Sequence, residues 1–65
     1  EEFKEVVLDF TDVDYVGQGF ADEVFRVYAL SHPEILICVK NASADVLRMI
    51  CHVSRGDVPK NIKIL

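Results

Sequence analysis

Apolar residues recur along this chain with two different periods. Val6-Val7-Leu8-Asp9-Phe10 is a compact β-branched and aromatic run and predicts a strand. From about Gln18 to Ser31 the apolar positions fall three and four apart, at Phe20, Val24 and Val27 and at Ala21, Phe25 and Tyr28, the spacing of a helix face. Ile35-Leu36-Ile37-Cys38-Val39 is apolar at every position and predicts a second strand. From Ala44 to Arg55 a polar stripe (Asp45, Arg48, His52, Arg55) opposes an apolar one (Val46, Leu47, Ile50, Val53), which predicts a second helix. Asn61 to Leu65 reads as a third strand.

The segments between these runs carry turn and capping residues. Thr11-Asp12-Val13-Asp14 has turn chemistry, because Asp side chains bond the backbone just ahead of them. Gly17-Gln18-Gly19 is expected to be a flexible joint that lets the chain turn sharply into the first helix. Asp22 and Glu23 then sit in the first helical turn, where negative charge meets the helix dipole, and Asp22 can pair with Arg26. His32-Pro33 stops that helix. Asn41 or Ser43 can cap the second, and Gly56 is placed to end it in a left-handed conformation.

The order β-α-β-α-β predicts an α/β fold, mainly a parallel sheet with right-handed crossovers. Three adjacent strands running one way put both helices on one face. Strands one and two are apolar on both faces, as buried parallel strands are. The second face is therefore expected to be covered by further chain, a second copy or a partner. Residues 1–65 read as a single domain. Because the chain opens on Glu1-Glu2-Phe3 without a methionine, it is read as a fragment of a longer protein.

Composition narrows the function classes. Half of the 65 residues are hydrophobic (51%), with three glycines and two prolines, which excludes disorder and collagen-like repeats. Seven basic against eleven acidic residues give a net charge of −4 and argue against a nucleic-acid-binding face. The longest apolar run, Ile35 to Val39, is far too short to cross a bilayer. Cys38 and Cys51 are expected to be reduced thiols in the core, which implies a cytoplasmic protein. Eight of the acids lie within residues 1–23, beside a single lysine. An acidic pole is expected around Asp12, Asp14, Asp22 and Glu23, suited to docking a basic protein partner.

Three chemical patterns are weaker. Gly17-Gln18-Gly19-Phe20-Ala21-Asp22 lies where a dinucleotide fingerprint would, but Asp22 stands at the third glycine position and Glu23 adds a second negative charge. Asp9, Asp12 and Asp14 could attract a hard cation, yet no further ligand is spaced to join them. Cys51 and His52 are helix neighbours and point about 100° apart, so they form no dyad. No enzyme activity, cofactor or metal is expected.

Val7-Leu8-Asp9-Phe10, Val13 through Glu23 and Lys40-Asn41-Ala42 together resemble a bacterial STAS-like domain of unknown function. The Gly17-Gln18-Gly19-Phe20-Ala21-Asp22-Glu23 segment is the most specific part. That family in turn is similar to STAS anti-sigma factor antagonists. In those, a strand of pattern L-x-x-V-x-F enters an Asp-Ser-Ser-Gly-Leu turn that opens a helix. Phe10, Val13 and Tyr15 match the hydrophobic positions, and Gly17 to Phe20 occupy the turn. The resemblance implies docking to an ATPase-type kinase or other regulator through the turn and helix. In the antagonists a serine of the turn is phosphorylated, and the added charge releases the complex. Here Gly19 stands at that serine, so this step has no hydroxyl to act on.

The expected function is thus a cytoplasmic, non-enzymatic interaction module in bacterial signalling or transcriptional regulation. Its docking residues are Asp14, Gly17, Gln18, Gly19, Phe20, Asp22, Glu23 and Arg26, with no nucleic acid or membrane contact. Two other readings are a small-ligand or nucleotide-binding regulatory module at the glycine joint and a dimerisation segment using the open sheet face.

Overall fold

A computed structural model describes residues 4–65. The chain runs β1 (Lys4–Asp9), helix α1 (18–31), β2 (Ile35–Lys40), helix α2 (Ala44–Val53) and β3 (Ile62–Ile64). The strands lie in the order β1-β2-β3, and both pairs are parallel. This is the predicted α/β fold. None of the described helices is long and apolar enough to cross a membrane.

Register and alternation decide which residues form the core. Ile37 stands beside Val6 and Ile62, and Cys38 beside Val7 and Lys63. Successive residues of a strand face opposite ways. Ile35, Ile37, Val39 and Ile62, with Leu8, therefore meet Ala21, Phe25 and Ala29 of α1 and Val46, Ile50 and Val53 of α2 in one cluster. Phe10 closes it at the end of β1, its ring 6.4 Å from that of Phe25. Both helices thus cover the same face.

The other face carries Glu5, Val7, Leu36, Cys38 and Lys63, and none of these joins the core cluster. β1 is not the doubly buried strand that its composition predicts. It lies at the sheet edge with helices on one side only, leaving Val7 53% exposed. Cys38 is nonetheless buried, and its thiol donates to Glu5 Oε2 at 3.2 Å. Burial, and after it the Glu5 carboxylate, pushes the thiol pKa up. Cys51, expected in the core, is exposed. It follows Ile50 by one residue, so its side chain points about 100° away from the buried stripe.

The two helices are built differently. α1 is α-helical over Gln18–Asp22, π-helical over Glu23–Tyr28 and α-helical again over Ala29–Ser31. The Ala29 N–H reaches the Val24 carbonyl, five residues back. In a regular α-helix a step of four residues overshoots one turn by about 40°. The wider π turn takes up that overshoot. Ala21, Phe25 and Ala29 consequently line up as the buried row, while Tyr28 turns outward. The sequence pattern assigned Tyr28 to that row.

α2 begins at Ser43, whose Oγ accepts from the Val46 N–H at 3.2 Å, with Asp45 in the first turn. It ends at Val53, two residues before the predicted end, in a Schellman turn. The Gly56 N–H bonds the Cys51 carbonyl at 2.9 Å and the Arg55 N–H that of His52 at 3.2 Å. The left-handed conformation starts at Arg55 (φ 55°) and continues through Gly56 (φ 79°), one residue earlier than predicted. Asn61, read as strand, instead directs Nδ2 to the carbonyls of Ala29, His32 and Ile35 at 2.9, 3.1 and 3.0 Å. One amide thereby ties the end of α1 to the start of β2.

Candidate functional site

The chain leaves β1 through a hydrogen-bonded turn. Asp9 Oδ1 accepts from Thr11 N–H at 3.0 Å, Thr11 Oγ1 at 2.6 Å and Asn41 Nδ2 at 3.1 Å. These donors, the Thr11 hydroxyl first, bring the Asp9 pKa down from 3.8 to about 2. Asp12 follows with φ 66°. Further on, the Asp14 carbonyl accepts from Ser43 Oγ at 2.8 Å, so the cap of α2 also anchors the approach to α1. The Asp14 side chain is exposed. Among the described residues no three His, Cys, Asp or Glu side chains gather as they would around a metal ion.

Gly17 occupies the position before α1 with φ −71° and ψ 155°, ordinary extended backbone, and makes no side-chain cap bond. Gly19 lies within the first helical turn. A Cβ placed on either would meet nothing within 4 Å. The expected glycine joint is therefore not a sharp turn that only glycine can make. Neither φ nor crowding requires glycine at these two positions. They leave bare backbone between two exposed aromatic rings, Tyr15 (72%) and Phe20 (51%).

Asp22 and Arg26 form the predicted pair. Arg26 Nε donates to Oδ1 at 2.5 Å and Nη2 to Oδ2 at 2.9 Å. The Arg26 guanidinium holds the Asp22 carboxyl below its usual range, and the charge of Arg55 adds to this. The acidic pole is thus smaller than the sequence suggested, because Asp22 is already matched by an arginine. Glu23 is exposed beside it.

Of the predicted docking residues, Asp14, Gly17, Gln18, Gly19, Phe20 and Glu23 are exposed around the start of α1. Asp22 and Arg26 lie along its outer side, joined with Gln18 in a groove of about 1070 Å³ between α1 and the end of α2. Arg48, His52 and Arg55 line the far wall of this groove. Sequence reasoning put these three on a polar stripe, but which surface the stripe faces depends on helix packing. A second cleft, of about 690 Å³, lies among Ala29, Leu30, Pro33, Leu36 and Pro59 and contains none of the predicted residues.

The family model for the STAS-like domain of unknown function (DUF4325) matches residues 1–47. The chain belongs to this STAS-like family. The matched stretch takes in β1, the whole glycine segment, α1, β2 and the first turn of α2. No curated protein and no solved structure matches the chain. In this STAS-like domain the segment between β1 and α1 has no hydroxyl from Val16 to Phe20. Its chemistry there is bare backbone, one amide side chain and an aromatic ring.

Proposed function

We propose that this STAS-like domain is a non-enzymatic interaction module that docks a signalling or regulatory protein through Gly17–Glu23 and the outer side of α1. The observation that carries this reading is the pair of glycines. Gly19, inside the helix, costs roughly 0.5–1 kcal/mol against alanine, Gly17 forgoes a side-chain cap, and the fold has open space for a side chain at both positions. Close approach by another backbone is a reason to keep them bare. Tyr15 and Phe20 on either side supply apolar area of the kind that anchors interfaces. Because Asp22 is matched by Arg26, the anchor is aromatic first and acidic second. The proposal sets the module in bacterial signalling or transcriptional regulation, in the cytoplasm, where the two free thiols stay reduced.

The test compares partner recovery from the source organism's lysate by the wild-type domain and a Gly19→Arg variant. The Cβ at position 19 meets nothing in the domain, so circular dichroism of the variant should match wild type. A regulator enriched by wild type alone supports docking at this surface. Equal recovery by a folded Gly19→Arg variant removes it.

A second reading rests on the open face of the sheet, where Val7 stands exposed beside Cys38. In that reading the face joins a second copy. Light scattering that returns a strict monomer at high concentration rules it out.

A further inference from the structure

We propose that the groove between the start of α1 and the end of α2 binds a phosphate-type oxyanion, with Arg55 as its principal ligand and Arg26 and Arg48 beside it. The site shares Gln18, Asp22 and Arg26 with the proposed docking surface, but its test does not depend on that reading, since an anion can be titrated with no partner present.

The charge distribution is the first ground. The chain has a net charge of −4, yet this groove is lined by three arginines against a single aspartate, with His52 between them. Asp22 matches Arg26 and Asp45 matches Arg48, which leaves Arg55 as the unmatched positive charge facing the groove. The second ground is the number of donors left over. A guanidinium carries five N–H donors in a planar fork that matches phosphate geometry. Asp22 occupies two of those on Arg26. Asp45 engages Arg48 through Nη2 only. Arg55 has no salt-bridge partner among the described residues.

The backbone supplies the third ground. Arg55 follows α2 in the left-handed region that favours glycine, with Gly56 directly after it. The Schellman bonds hold this turn beside the groove, so Arg55 is displayed from a fixed backbone. Its charge is felt at Asp22 on the opposite helix. Gly56 presents no side chain there, and a Cβ at this position would meet nothing. A phosphoryl group, with its three or more acceptor oxygens, can take donors from both walls at once.

The test is an NMR titration of the 15N-labelled chain, following backbone amides and arginine Nε–H signals. Inorganic phosphate is added first, with sodium chloride at matched ionic strength as the comparison. The expected result is saturable shifts around Gln18, Arg26 and Arg55 with phosphate alone. Arg55→Gln should weaken the binding roughly tenfold or more, the scale of one lost charge-assisted bond. Arg48→Gln serves as the second variant should the first fail to fold. A neutral peptide bearing one phosphoserine, beside its unphosphorylated form, separates the two sources of the group. Tighter binding of the phosphopeptide than of phosphate assigns the anion to a partner chain, and equal or weaker binding assigns it to a free small molecule. Shifts that never saturate, that chloride reproduces, or that survive unchanged in the folded arginine variants overturn the proposal.

Discussion

The two helices cover the same sheet face but are finished to different standards. α2 has a serine cap, an acid in its first turn, a regular buried row and a Schellman turn at its end. In α1 the side-chain bonds from another element fall where it leaves, from Asn61 to the carbonyls of Ala29 and His32. Its start has a glycine in place of a capping side chain, a second glycine inside the first turn and no acid there. Its middle is π-helical, a form that recurs at functional sites. Two helices with one structural task would be expected to use similar devices. The difference marks the start of α1 as a place where stability has been given up, and the shared task of covering the sheet does not explain it. The docking reading does.

The largest effect that would sharpen this contrast is at Asn61. Asn61→Ala removes the side-chain donor shared by the Ala29, His32 and Ile35 carbonyls, of which His32 keeps the Ile35 N–H, and should cost about 1–3 kcal/mol in urea unfolding. It should also raise amide exchange in the last turn of α1. Ser43→Ala comes next. Losing the cap of α2 should cost about 1 kcal/mol and free the Asp14 carbonyl as well. A loss near zero would remove α2 as the better-finished helix.

A smaller effect is expected from acid at Asp9, whose bonds to Thr11 and Asn41 link the approaches to both helices. Its folded pKa of about 2 lies below the ordinary 3.8, so the folded state favours the ionised carboxylate. The stabilisation is complete above about pH 5 and is lost progressively as pH falls through 3.8 and then 2. Asp9→Asn should flatten that part of the stability profile. An unchanged profile would mean that the turn does not hold Asp9 ionised.

Much of the fold was legible because its signals are local. The run Ile35 to Val39, the two stripes of α2 and the Ser43 cap each declare themselves within a few residues. The π segment was not legible, because Phe20, Val24, Val27 and Ala21, Phe25, Tyr28 fit an ordinary helix equally well. Only packing against the sheet selects the row Ala21, Phe25, Ala29. Asn61 was missed for a similar reason, since its three acceptors lie 26 to 32 residues away in sequence. At the site, the Asp22–Arg26 pair follows from their spacing and was read correctly. The arginine wall opposite it was not readable, because Arg48 and Arg55 face Arg26 only once the helices pack side by side. The role assigned to Gly17 and Gly19 also changed. Their sequence suggests a forced turn, and their backbone and surroundings show none.

On the docking proposal the fold does not need these glycines and a partner outside it does. A Gly17→Ser, Gly19→Ala double variant tests both halves in one sample. Serine restores a cap and alanine a better helix former, so urea unfolding should show a gain of up to about 1 kcal/mol over wild type. Partner recovery by the same variant should fall. A less stable variant would show that the glycines serve the fold after all, and a more stable variant with undiminished recovery would show that nothing docks against them.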